Sequence, residues 1–214
     1  MLSEHARRPA SVIIEPIART LQKAHVSPNA VTLGGTVAAV VLALWLIPTG
    51  HHFAAAVLIG LTTALDMVDG TMARMSGGGT KFGATLDATC DRVTDGAIFG
   101  ALAFWFAMDA ESHPVLLALT LTILVAGQVT SYVKARAEAS DLPVDGGLIE
   151  RPERLIISLV ALGLSGLGVP YVLWVGLWLL GLGSVFTVIQ RLVMASRSEA
   201  STEHIAAPAG AREF

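Results

Sequence analysis

Long apolar runs alternate with short polar breaks along this chain. Six runs can be drawn: Asn29 to Pro48, Phe53 to Arg74, Gly83 to Met108, Pro114 to Ala139, Arg151 to Gly168 and Pro170 to Ser196. Most hold the roughly 20 residues a helix needs to cross a ~30 Å hydrocarbon core, and the fifth is the shortest. The breaks between them, "PTGHH", "MSGGGTKF", "DAESH", "SDLPVDGG" and "GLGV", carry turn chemistry. The pattern predicts an all-α integral membrane protein with six transmembrane helices. Composition agrees, with 53% hydrophobic and 14% charged residues and a mean hydropathy of +0.65, outside the range of a water-soluble domain.

The fourteen basic residues set the orientation. Arg7, Arg8, Arg19 and Lys23 precede the first run, Arg74, Lys81 and Arg92 flank the second connection, and Lys134, Arg136, Arg151 and Arg154 flank the fourth. Arg191, Arg197 and Arg212 lie at the end. None falls on the first, third or fifth connection. The bias of Lys and Arg toward cytoplasmic loops therefore puts both termini and the even connections in the cytoplasm. The net charge of -3 names no partner, and the single Cys90 excludes an internal disulfide. The N-terminus has no long apolar run followed by a cleavage site, so no removable signal peptide is expected.

Three parts follow. Residues 1–28 form a juxtamembrane segment in which Val12, Ile13, Ile14, Ile17 and Leu21 oppose Glu15, Arg19 and Lys23. This amphipathic pattern suits a helix lying in the headgroup layer, and equally a short cytoplasmic helix packed on the spans. Residues 29–196 form the six-helix membrane domain. Residues 197–214 are polar and aperiodic, the composition of a disordered tail.

Against this apolar background, "LDMVDGTMARMSGGGTKFGATLDATCDRVTD" holds five aspartates. On helices, Asp66 and Asp69 share a face at i, i+3, and Asp87 and Asp91 share one at i, i+4. The Gly-rich link between the two segments predicts antiparallel neighbours. At ~1.5 Å per residue, Asp66 lies about 12 Å inward from Arg74 and Asp91 about 12 Å inward from Gly83, so the pairs meet at matching depth. An isolated carboxylate near a span's centre costs on the order of 3 kcal/mol, and clustering adds repulsion. No lysine or histidine lies deep in these spans, and Arg74 and Arg92 are too few for four anions. Hard divalent cations fit carboxylate oxygen better, magnesium being usual where phosphate oxygens complete the shell. Two such ions bridged by aspartates would hold a diphosphate for in-line displacement. Gly70, Ala73, Gly83 and Ala84 leave room for a bulky headgroup, and Thr80 stands where a helix start binds anions.

Written out, the stretch is Asp66-x2-Asp69-Gly70-x2-Ala73-Arg74-x8-Gly83-x3-Asp87-x3-Asp91. It resembles, position for position, the signature of the CDP-alcohol phosphotransferase family. Within that family the stretches "GGGTKFGATLDATCDRVTDGA", "SYVKARAEASDLPVDGGLIERPERLI" and "QRL" are similar to actinobacterial phosphatidylinositol phosphate synthases, a likeness that spans all but the C-terminal tail. The resemblance implies a six-helix enzyme of the bacterial plasma membrane, usually a homodimer, with its active site open to the cytoplasm. It would transfer the phosphatidyl group of CDP-diacylglycerol to inositol 1-phosphate and release CMP. Membrane lipid is then a partner and nucleic acid is not. By the same resemblance Asp66, Asp69, Asp87 and Asp91 hold two Mg²⁺ ions, with Mn²⁺ a possible substitute, and Asp91 is also the catalytic base. Asn29, Ala30, Val31, Thr32, Gly70, Arg74 and Thr80 would contact the CDP portion of the donor.

A phosphorylated acceptor needs cations near the cytoplasmic end. Lys134, Arg154 and Arg191 lie on different helices and could converge on one phosphate, with Ser131 and Tyr132 adding hydroxyls. The plainer reading has these cations snorkelling to headgroups, and for Arg136 and Arg151 it is the favoured one. Glu150 and Glu153 are expected to pair with nearby arginines, Asp95 to pair with Arg92 or a span-end serine outside the site, and Cys90 to pack. Trp45, Trp105, Trp174 and Trp178 are expected at lipid or interface, and Gln128 and Thr130 at the cavity or on a neighbouring helix. Three alternatives stand. Glycerol 3-phosphate could replace the inositol acceptor. A divalent-cation transporter would also line its path with carboxylates, yet "FAAAVLIG" and "IFGALAFWFAM" leave the outer halves of spans two and three apolar. An intramembrane prenyltransferase lacks the Gly-x2-Ala-Arg element.

Overall fold

The computed structural model describes residues 14–64, 66–108 and 113–203, with Asp66 through its backbone only. Among these residues all regular structure is helical. Helix α1 covers residues 14–23. It is followed by α2 (Pro28–Leu46), α3 (His52–Ala64), α4 (Asp66–Met75), α5 (Lys81–Met108), α6 (Pro114–Glu138), α7 (Arg151–Gly166), α8 (Val172–Ser196) and a 3₁₀ turn at Glu199–Thr202. The stretches Pro28–Leu46, His52–Met75, Pro114–Glu138 and Val172–Ser196 are each long and apolar enough to cross a bilayer. The molecule is an all-α, multi-pass membrane protein. Helix α5 has 28 residues but carries Asp87, Asp91, Arg92 and Asp95 within its first fifteen. Helix α7 has 16 residues, about 24 Å of length.

Helical periodicity explains the packing. On α2, Thr32, Gly35, Ala39, Ala43 and Leu46 recur every three or four residues and are buried, while Val37, Val41, Leu44 and Trp45 on the other faces are exposed. An apolar outer face of this extent belongs in lipid. The helices pack in the order α2, α5, α6, α8, α7, α3 and back to α2, which closes a ring. Its centre is filled by Ile47, Ile59, Phe99, Leu102, Ile123, Leu177 and Leu180.

Lipid tails are as apolar as the side chains they would replace, so close fit holds such helices together. Glycines supply it. A Cβ built on Gly166 of α7 would lie 2.3 Å from the backbone nitrogen of Phe53 in α3, and one on Gly176 of α8 would lie 2.6 Å from the Ala161 Cβ of α7.

The ring order corrects one expectation. Helices α4 and α5 are not packed side by side, because α4 lies against α2 and α3, and α2 is the neighbour that α4 and α5 share. Helix α1 packs on α4: Ala18 is buried against Val68 and Met72, with Ile14, Leu21 and Val31 alongside, and the Gln22 amide donates to the Ser76 hydroxyl at 2.9 Å. Val12 and Ile13 lie outside the described residues. The 3₁₀ turn orders the start of the tail expected to be disordered, whose residues 204–214 lie outside the described residues. Trp45, Trp174 and Trp178 are exposed. Trp105 instead stacks edge-on to the buried His52 ring at 4.4 Å, because it turns toward the start of α3.

Replacing Gly166 with alanine should lower stability by about 1–3 kcal/mol, the usual cost of overpacking. Gly100, where an added Cβ meets nothing within 4 Å, is the control. Thermal unfolding of the two alanine variants in detergent, with a fall in Tm only for Gly166→Ala, checks this.

Candidate active site

The motif aspartates are distributed over two helices with different surroundings. Asp69, one turn into α4, is buried and accepts a hydrogen bond from the Thr32 hydroxyl of α2. That hydroxyl also lies 3.1 Å from the Pro28 carbonyl, so it is fixed by its own helix. Asp87 is exposed on α5. One turn later, the half-buried Asp91 carboxylate receives Arg151 Nη2 of α7 at 2.7 Å and has Arg92 Nη2 at 3.8 Å. The Asp66 side chain lies outside the described residues. Among the described residues no three acidic, His or Cys side chains form a group that could hold a metal. Asp69 is turned toward Thr32 and Asp91 toward Arg151.

The residues expected against a nucleotide divide. Ser27 caps α2 by accepting the Ala30 N–H at 3.2 Å. Thr80 caps α5 by accepting the Gly83 N–H at 2.9 Å. A Cβ on Gly83 would come within 3.1 Å of the Thr80 hydroxyl and 3.3 Å of Asn29 Oδ1, so Asn29, Thr80 and Gly83 converge at the two helix starts. Arg74 is exposed on α4, with Nη2 donating to the Thr71 hydroxyl at 2.9 Å, and a Cβ on Gly70 would lie 3.6 Å from its Nη1. Ala30 is exposed. Val31 turns into the apolar cluster beneath α1, and Thr32 is engaged with Asp69.

On the far side of α5 a cavity of about 1150 Å³ opens between α5, α6, α7 and α8. All five residues expected at an acceptor phosphate line it: Ser131, Tyr132, Lys134, Arg154 and Arg191. So do Asp91, Arg92 and Arg151. One wall therefore carries both the last motif aspartate and the basic cluster.

Most of these cations already have protein partners. Arg154 is nearly devoid of solvent contact and forms an ion pair with the equally buried Asp95 of α5. Arg92 Nη2 lies 3.8 Å from Asp95 and the same distance from Asp91, so the two carboxylates and three guanidiniums form a ladder joining α5 to α7. Buried charge on this scale survives only when paired. Arg92 Nε and Arg154 Nε are buried with no hydrogen-bond partner, the latter beside Gly127. Arg191 donates to the Gly146 carbonyl at 3.0 Å, to the Thr130 carbonyl at 2.8 Å and to Glu150 at 2.7 Å. Together with Thr187, whose hydroxyl accepts the Ile149 N–H at 2.9 Å, it fastens the α6–α7 connection to α8. The Glu153 carboxylate accepts the Glu150 N–H at 3.1 Å and caps α7. Lys134 Nζ donates to Asp145 at 3.1 Å, and that hydrogen bond and its charge hold the Asp145 carboxyl below the ordinary carboxylate range.

Three sequence expectations change here. Arg151 grips Asp91 and does not snorkel, because the first turn of α7 faces α5. Asp95 pairs with Arg154 as well as Arg92. Arg191 spends three donors on holding backbone and Glu150 in place. Gly127 of α6 was not singled out in the sequence: a Cβ there would lie 3.0 Å from Arg154 Cζ, so the guanidinium crosses α6 where a side chain is missing. The only hint was a glycine in mid-span. Gln128, next to it, donates to the Arg92 carbonyl at 3.2 Å and lines the cavity.

Residues 25–190 match the family model described as CDP-alcohol phosphatidyltransferase. The chain is 59% identical over 212 residues to the phosphatidylinositol phosphate synthase of Corynebacterium glutamicum, covering 99% of this chain and 97% of that one. It is 49% identical over 201 residues to the synthase of that name from Mycobacterium tuberculosis, covering 92% and 91%. The crystal structure of the Mycobacterium tuberculosis enzyme with CDP-DAG bound superposes with a TM-score of 0.87 at 49% identity, over 91% of this chain and 99% of that chain. Its complex with manganese and citrate gives 0.86 at 49% identity, over 90% and 93%.

Gly127→Val should push Arg154 off Asp95. Breaking a buried ion pair from one side costs roughly 3–5 kcal/mol, so the variant's denaturation midpoint in detergent should fall well below that of Gly100→Ala.

Proposed function

The chain belongs to the CDP-alcohol phosphatidyltransferase family, and from that premise we propose that it moves the phosphatidyl group of CDP-diacylglycerol to inositol 1-phosphate, releasing CMP. The observation that carries this reading is the shared cavity, where Asp91 stands on the same wall as Arg154, Lys134 and Ser131. A neutral alcohol would have no use for that basic wall. A phosphorylated one brings an anion that matches it in charge. Glycerol 3-phosphate would meet the same wall, but the relatives named above favour the inositol acceptor.

The donor is held on the other side of α5. Asn29, Thr80 and Gly83 at the two helix starts, with Gly70 and Arg74 on α4, would take the CDP portion. Donor oxygens from Asp66, Asp69, Asp87 and Asp91 fit hard divalent cations in chemical type, all being carboxylate, and Mg²⁺ or Mn²⁺ would be held there, two ions in all. When bound, such ions neutralise the diphosphate and the departing CMP. Thr32 fixes one Asp69 oxygen and so orients that carboxylate. The acceptor hydroxyl oxygen bonds to the lipid-side phosphorus, the bond from that phosphorus to the CMP oxygen breaks with its electron pair leaving on CMP, and the hydroxyl proton passes to an Asp91 oxygen. Arg154, Lys134, Ser131 and Tyr132 bind the acceptor's phosphate and hold its ring hydroxyl toward Asp91, which is catalysis by positioning. Arg191 supports that wall through Thr130 and Glu150.

The bias of the basic residues toward one set of connections supports a site at the cytoplasmic side of a bacterial plasma membrane, with six crossings and both termini inside. Residues 29–196 would carry the reaction, and of the juxtamembrane segment the described helix α1 packs on α4 through Ile14, Ala18 and Leu21. Family membership supports a homodimer.

Competing inositol 1-phosphate against glycerol 3-phosphate with purified enzyme, Mg²⁺ and labelled CDP-diacylglycerol should give phosphatidylinositol phosphate in large excess, and a phosphatidylglycerophosphate product would displace the inositol reading. Asp91→Asn should fold and bind donor yet release CMP at least 10³-fold more slowly, within the range for loss of a general base. CMP release measured beside a donor-binding titration checks it, and near-normal turnover would remove Asp91 as the base.

A further inference from the structure

Resting on the transfer reaction just given, we propose that Asp95 is a positioning residue for the phosphorylated acceptor, acting through Arg154. Asp95 stands one turn beyond Asp91 on the same face of α5, outside the motif. Its side chain is 5% exposed and that of Arg154 is 2% exposed, so their ion pair is sealed from water. Lipid and neighbouring helices would let a lone arginine side chain snorkel several ångströms toward the surface. Two features prevent this here. The Asp95 carboxylate takes Arg154 Nη2 from the α5 side, and the bare Gly127 backbone of α6 receives the guanidinium from another. What remains is a guanidinium fixed at the cavity wall, its Nε sealed against Gly127. A phosphate arriving there meets a cation already in place, and little rotamer freedom is lost on binding.

Arg92 extends the device. Lying 3.8 Å from both Asp91 and Asp95, it ties the carboxylate proposed to receive the proton to the one that aims the phosphate ligand. The distance between the acceptor's two ends is thereby matched to one turn of α5.

A competing role predicts the opposite sign. Were Asp95 only a counter-charge, its removal would leave the arginine cluster more positive, and phosphate would bind more tightly. A positioning role makes the acceptor bind worse, because Arg154 loses its fixed place.

Full-length Asp95→Asn, purified with wild type, should show a KM for inositol 1-phosphate raised about tenfold or more, with the KM for CDP-diacylglycerol within twofold of wild type. In an Arg154→Gln background the same substitution should change the acceptor KM by less than twofold, since its only route is gone. An unchanged or lowered acceptor KM, equal rises in both KM values, or full additivity with Arg154→Gln would overturn the proposal. If Asp95→Asn does not yield folded protein, Asp95→Glu keeps the charge while displacing the guanidinium, and the same split between the two KM values decides. Wild-type enzyme that ignores inositol 1-phosphate would instead fault the acceptor assignment, a separate outcome.

Discussion

The constraint on which this molecule depends is that ionised groups removed from water must find one another. Carboxylates on α5 and guanidiniums on α5 and α7 meet inside a bundle whose outer surface is adapted to lipid. Attraction between such charges strengthens as the surrounding dielectric falls, and so does the cost of leaving one unpaired. The ladder from Arg151 through Asp91, Arg92 and Asp95 to Arg154 therefore locks the start of α7 against the first half of α5. It also builds the cavity wall, so the stability of the bundle's polar end and the chemistry of its site share the same side chains.

Helix α5 divides the work. Toward α2 it offers Gly83 and its own capped start to the face where Asn29 and Thr80 converge. Toward α6, α7 and α8 it offers Asp91 and Asp95 to the cavity. On the proposed reading, donor and acceptor would be held at opposite edges of one helix, with the last motif aspartate between them. Small residues make this possible. Without Gly127 the Arg154 side chain could not cross α6, and without Gly176 and Gly166 the short α7 could not approach α8 and α3 closely enough to carry its arginines inward.

The α6–α7 connection shows how a loop can be made part of such a wall. Arg191 reaches Gly146, Thr130 and Glu150 from α8, and Thr187 and Gln190 accept the N–H groups of Ile149 and Leu148. Buried backbone that is satisfied by side chains does not wander. Arg151 and Arg154, which follow directly, start α7 from a fixed point.

Much was legible in the sequence because it depends on local spacing alone. Apolar runs of bilayer length marked the helices nearly to their ends, and the i, i+3 and i, i+4 aspartates marked a stretch that lies within the family match. The residues that line the cavity between α5, α6, α7 and α8 were legible too, as cations and hydroxyls at span ends. Partnership was not. That Arg151 meets Asp91, that Asp95 belongs to Arg154, that Thr32 serves Asp69 and that α2 rather than α5 lies along α4 are facts about which helix faces which. No residue's neighbours along the chain encode them, because lipid-exposed helices are ordered around a ring by the fit of small residues and by the matching of buried charge, both of which exist only once the bundle has closed.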